Sequence, residues 1–107
     1  MDEDAELFAR VRLFEWDEGK RLINLREHGF DFNEIRGVFD DAISIRRSDR
    51  EGETRFLVYG FLNDQEVAVI CTFRGEHCRI ISARRARKDE RRKYHSRLSR
   101  RSGPGQN

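Results

Sequence analysis

Arginine supplies most of the chemical potential in this chain. Arg55, Arg74, Arg79 and Arg84 fall at or near the ends of β-branched and aromatic runs, where their planar forks could converge on one phosphate. Glu90 and Tyr94 follow Arg84 and offer proton transfer or base stacking. The histidines, His28, His77 and His95, lie in different segments, and His28 stands out because it ends a polar row with Lys20 and Asn24 at i, i+4, i+8. Such a set could cleave RNA without a metal. That reaction needs an aligned 2′-hydroxyl, cations around the developing phosphorane and two proton movements. No Ser/His/Asp or Cys/His arrangement, P-loop, GxGxxG, HExxH or zinc-finger spacing accompanies these residues.

Each candidate has a structural counterpart. Glu90 sits three residues after Arg87, the N3 position of a capping box that lacks its Ser or Thr. Tyr94 shares a helical stripe with Ala86, Glu90 and Leu98, so its ring could be core. The Lys20, Asn24, His28 row could be a solvated face or a row facing RNA or a partner. Asp40 and Asp41 read as turn residues, since a hard cation needs more oxygen ligands than they provide.

Charge is concentrated at one end. Residues 84–101 carry ten Lys or Arg against Asp89 and Glu90, a local +8 in a chain whose total is +2. Residues 1–54 sum to −6 and residues 55–107 to +8, which favours one side meeting a polyanion. At 107 residues, 36% hydrophobic and 39% charged, the chain fits one domain with a modest core enlarged by eight Phe. Cys71 and Cys78, seven apart with no CxxC pattern, read as reduced thiols of a cytoplasmic protein. No apolar run approaches the roughly 20 residues of a membrane span.

These residues need a scaffold, and the pattern supplies an α+β plan. A short strand over 11–16 leads into a helix over 17–28, capped by Asp17, ended by Gly29 and given its apolar surface by Leu22, Ile23 and Leu25. A second helix over 33–39 would bury Ile35, Val38 and Phe39, with Gly37 weakening it by about 1 kcal/mol relative to Ala. Strands over 42–46, 55–62, 66–74 and 78–84 follow, joined by short turns that imply an antiparallel sheet. A basic helix begins near Ala86. The domain thus spans 11–98, with flexible tails at 1–10 and 99–107.

Taken in order, Phe14-Glu-Trp16-Asp17, Lys20, Asn24, His28-Gly29, Phe32 and Phe39, then Arg79-Ile-Ile-Ser-Ala-Arg84, Ala86, Glu90 and Tyr94, resemble the BrnT family of ribonuclease toxins from bacterial type II toxin–antitoxin pairs. The resemblance covers about residues 14–94 and departs from it at Thr72-Phe73-Arg74, where the family often has Thr-Glu-Arg, and at Arg87, where it often has Ser or Thr. It implies a RelE-like fold: a twisted antiparallel sheet, two N-terminal helices and one C-terminal basic helix. It implies RNA cleavage without a cofactor, translation arrest, and neutralisation by BrnA, a ribbon-helix-helix antitoxin whose complex with the toxin represses its own operator DNA. Carried onto this chain, Arg55, Arg84, Glu90, Tyr94 and His28 would serve catalysis, and Lys20, Arg74, Arg79, Arg85 and Lys93 would hold RNA. The alternative is a module that uses the same cations to bind nucleic acid or an acidic partner without cutting.

Overall fold

The computed structural model describes the backbone of residues 3–102 and side chains as far as residue 96. Helix α1 (Glu3–Ala9) precedes strand β1 (Leu13–Glu15), helix α2 (Glu18–His28) and helix α3 (Phe32–Ile35), which continues as a 3₁₀ turn over Arg36–Asp40. Four strands follow, β2 (Ser44–Arg47), β3 (Phe56–Leu62), β4 (Gln65–Arg74) and β5 (His77–Arg85), then helix α4 (Lys88–Ser102). The spatial order is β1-β5-β4-β3-β2.

Local signals placed most of these elements. Asp17 accepts from the Lys20 N–H at 3.0 Å, and Gly29 takes the left-handed conformation with φ 77°, as an N-cap and a C-terminal glycine should. Asn63 and Asp64, with φ 49° and 67°, make the tight turn joining β3 to β4. From β2 to β5 the strands are antiparallel.

Three expectations are corrected. The sheet is mixed, because β1 runs parallel to β5 in the register Leu13↔His77 to Glu15↔Arg79. Short turns dictate antiparallel order only for the strands they join, whereas β1 reaches β5 through most of the chain and is free to pair parallel. The N-terminal segment is a helix whose Phe8 packs against Phe39, Phe56 and Phe73, so the packed unit extends into the expected tail. The predicted 33–39 helix starts a residue earlier and tightens at Arg36. At the other end α4 continues through 102, and residues 103–107 of the expected tail lie outside the described residues.

Alternation gives each strand two faces. Phe56, Val58, Val67, Val69, Cys71, Cys78, Ile80 and Ala83 point to one side and form the core with Phe8, Phe32, Ile35 and Val38. The thiols of Cys71 and Cys78 are both free and buried there, and their mutual hydrogen bond raises the Cys71 pKa well above the ordinary thiol value. The opposite side carries Tyr59 and Ala68, on which α4 sets Tyr94.

Helix α2 behaves differently from its sequence reading. Leu22, Ile23 and Leu25 are exposed, and its buried residue is Asn24. The Asn24 side chain accepts from the Ala83 N–H at 3.0 Å and donates to the Phe30 carbonyl at 2.9 Å. Next to Ala83 the β4–β5 register shifts. The Asn24 amide thus satisfies a backbone N–H of β5 and ties α2 alongside that strand.

Candidate active site

Residues opposite one another in an antiparallel ladder point to the same side, so the register defines the face turned away from the main core. Leu57↔Ile70, Tyr59↔Ala68, Ala68↔Arg84, Ile70↔Ser82, Thr72↔Arg79 and Arg74↔His77 all lie on it. Glu15 joins it opposite Arg79, and Arg46 opposite Leu57. Arg55 precedes Phe56 and continues the alternation onto the same side. The four arginines singled out from the sequence are therefore brought to one face, as two clusters.

The first cluster lies where β5 passes into α4. Arg84 donates from Nη1 and Nη2 to the two Glu90 carboxylate oxygens at 2.7 and 2.8 Å. Glu90 also accepts from the Arg87 N–H at 2.8 Å, so it caps α4 as the sequence position suggested. The Arg84 guanidinium, opposing the cost of burial and aided by the Arg87 amide, holds the Glu90 pKa at about 2. Glu90 is thus a permanent anion near neutrality, and its geometry serves to orient Arg84. Tyr59, which sequence reasoning missed, lies against the same pair. Burial and the Glu90 charge raise its pKa, while the Arg46 and Arg84 guanidiniums oppose the rise. The alternation Leu57, Tyr59, Phe61 along β3 was the available signal.

Tyr94 is buried, and its hydroxyl donates to the Ala42 carbonyl at 2.8 Å. Its ring stands beside Phe61, with centroids 5.6 Å apart. The burial reading of Tyr94 holds, and its visible work is to seat α4 on the sheet. His95 Nε2 and Glu66 Oε1, 2.7 Å apart, add a second tie. Arg85 and Lys93 are exposed around this joint.

The second cluster lies at the other end of the face. Arg79 donates to Glu15 at 2.6 Å and Arg55 to Glu53 at 2.8 Å. Arg55, Arg74 and Lys20 all act on Glu53 and lower its pKa, the Arg55 hydrogen bond contributing most. Thr72 ties the strands beneath by donating to the Thr54 carbonyl at 2.6 Å. From Ala68 to Thr72 the clusters are four residues apart along β4, roughly 13 Å at about 3.3 Å per residue. Between them lie the half-buried side chains of Leu57, Ile70 and Ser82.

His28 stands apart from both clusters. With Lys20, Ile23, Asn24 and Glu27 it lines a shallow recess against Ile81 and Ser82. The row Lys20, Asn24, His28 is therefore split: Asn24 is a buried tie, and its neighbours remain exposed. Among the described residues no group of three His, Cys, Asp or Glu side chains could hold a metal ion.

A two-ended cationic face around a half-apolar saddle, fed by a strand that passes directly into a basic helix, can be compared with known proteins. The profile of the ribonuclease toxin BrnT of type II toxin–antitoxin systems matches residues 16–90. The chain belongs to this family. A crystal structure of the Brucella abortus ribonuclease toxin BrnT, at 1.1 Å resolution, is similar to it with a TM-score of 0.55 and 27% sequence identity, over 72% of this chain and all of that one. No curated protein matches. The BrnT match runs from Trp16 to Glu90, so it includes the arginines of both clusters but stops short of Glu15, Lys93 and Tyr94.

Membership in the BrnT family makes the chain kin to ribonuclease toxins that act with an antitoxin. Among the described residues the architecture is α+β, five strands with four helices. No helix among the described residues is long and apolar enough to cross a membrane.

Proposed function

We propose that this chain is an endoribonuclease toxin that cuts RNA on the Arg84 face without a metal. The observation that carries this is the bidentate Arg84–Glu90 pair beside Tyr59 and Arg46, with a further set of cations roughly 13 Å along the same strands. Single-stranded RNA suits such a surface, because its phosphates are spaced along a chain whose bases can rest on Leu57 and Ile70.

In this reading the 2′-oxygen attacks the adjacent phosphorus, and the bond to the 5′-oxygen breaks. The products are a 2′,3′-cyclic phosphate and a 5′-hydroxyl. One proton leaves the 2′-hydroxyl and one is delivered to the departing oxygen, so the step needs no outside reagent. Arg84 neutralises the phosphorane, with Glu90 fixing its fork, and Arg55 supplies charge from the other end. Tyr94 keeps α4 seated. His28, whose recess reaches Ser82 between the two clusters, is the candidate for moving protons, and Lys20, Arg74, Arg79, Arg85 and Lys93 hold the strand. A RelE-like mode of action is part of the proposal: the toxin arrests translation in the cytoplasm. A ribbon-helix-helix antitoxin of the BrnA type covers the basic face, and operator DNA is met only through that complex.

The test is growth after controlled induction of wild type and Arg84→Ala, each with and without the antitoxin, together with purified protein on RNA in excess EDTA. Arrest and new 5′-hydroxyl ends in wild type alone, abolished by Arg84→Ala and by the antitoxin, are expected. Salt-sensitive RNA binding with no product would refute cleavage and leave the binding-module account.

A further inference from the structure

Glu53 sits among the cations at one end of the proposed RNA-binding face. Its carboxylate accepts from Arg55 Nε at 2.8 Å, and Arg74 and Lys20 act on it electrostatically. Arg55, which makes the contact, lies just before β3, Arg74 ends β4 on the same face, and Lys20 belongs to the first turn of α2. The acids of the neighbouring ion pairs are tied into regular structure: Glu90 caps α4, and Glu15 belongs to β1. Glu53 is placed differently.

It stands at the tip of a tight hairpin between β2 and β3. Arg50 and Glu53 exchange two backbone hydrogen bonds of 2.9 Å, and Glu51 and Gly52 turn the chain with φ 51° and 79°. Ser48 N–H donates to the Arg55 carbonyl at 2.7 Å, and Arg47 reaches the Thr54 hydroxyl at 3.2 Å, so the hairpin stem is held. The fold therefore delivers one carboxylate, by a short hydrogen-bonded hairpin, onto Arg55. A carboxylate and a phosphodiester are both oxyanions that an arginine fork accepts in the same way.

We infer that Lys20, Arg55 and Arg74 form a phosphodiester-binding subsite and that Glu53 occupies it as an internal competitor in the free protein. This rests on the RNA reading above and adds its regulation: an incoming phosphate must displace the Glu53 carboxylate from Arg55. The contact weakens binding of RNA to the resting protein and makes the subsite selective for a ligand that engages the rest of the face at the same time. It also keeps Arg55 from attracting small anions.

The experiment compares wild type with Glu53→Gln, Arg74→Gln and the double variant, using fluorescence anisotropy with a short 2′-O-methyl oligonucleotide that cannot be cut. Thermal shift in inorganic phosphate is run in parallel. Gln keeps the side-chain size and an oxygen for Arg55 but removes the charge. Loss of one repulsive charge at about 4 Å from a phosphate, in a solvated site, is expected to tighten Glu53→Gln by about fivefold. The gain should shrink when Arg74→Gln is added, because the two act on the same anion. Phosphate should raise the melting temperature of Glu53→Gln more than that of wild type.

Oligonucleotide binding that is unchanged or weakened in Glu53→Gln relative to wild type would overturn the inference and make Glu53 a support for Arg55. If neither protein binds the oligonucleotide while phosphate still favours Glu53→Gln, the subsite stands and the RNA reading fails. If neither probe distinguishes the proteins, the subsite is refuted.

Discussion

Replacing Glu90 by Gln converts the residue to a mimic of its own protonated form and tests the joint between sheet and helix. The Glu90 side chain is only 9% exposed, yet it holds Arg84 in both oxygens and the Arg87 amide in one. Its pKa falls from an ordinary 4.5 to about 2. At about 1.4 kcal/mol for each pH unit of that lowering, ionised Glu90 contributes about 3 kcal/mol to folding at neutral pH. The folded value lies below the unfolded one, so this contribution is complete above about pH 4.5 and is lost as the pH falls towards 2. Urea denaturation of wild type and Glu90→Gln, measured from pH 7 down to pH 2, should give a stability difference of about 3 kcal/mol that closes across that window. Taking the difference between the two proteins cancels the other carboxylates. A difference that stays constant with pH, or a Glu90→Gln protein as stable as wild type at pH 7, would show that the Arg84 contact does not hold the carboxylate ionised.

Further substitutions test the scaffold. Asn24→Ala strands the Ala83 N–H and the Phe30 carbonyl away from water and should cost about 2–4 kcal/mol in chemical denaturation, with faster hydrogen exchange at Ala83; unchanged stability would refute the α2 tie. Gly60→Ala places a Cβ 2.7 Å from Val38 Cγ1 and should destabilise by about 1–3 kcal/mol, whereas Gly37→Ala meets nothing nearer than Leu62 Cδ1 at 3.9 Å and should stabilise by about 0.4–1 kcal/mol. Melting curves that rank the two glycines in the opposite order would contradict this packing.

The boundary between what the chain spells out and what folding adds can be drawn from particular residues. Asp17 and Gly29 bracket α2, Asn63 and Asp64 turn β3 into β4, and Glu90 caps α4, because capping and turning depend on bonds within a few residues and so are written locally. The same holds for the joint of a strand with a basic helix around Arg84, and for the succession of motifs that resembles the BrnT family. Period alone could not say what covers each face. Leu22, Ile23 and Leu25 have helical spacing yet remain exposed, while the polar Asn24 is buried, because the Ala83 N–H and the Phe30 carbonyl beside it need an amide more than a methyl group. Phe8 reads as part of an acidic tail until Phe39, Phe56 and Phe73, distant in the chain, form a place for its ring. The parallel pairing of β1 with β5, the partnership of Arg79 with Glu15, and the meeting of Tyr59 with Arg46 and the Arg84–Glu90 pair likewise join residues far apart in sequence. Which residues carry charge, and where each short element begins, can be read along the chain; which acid neutralises which arginine depends on sheet register, a non-local quantity that no short window contains.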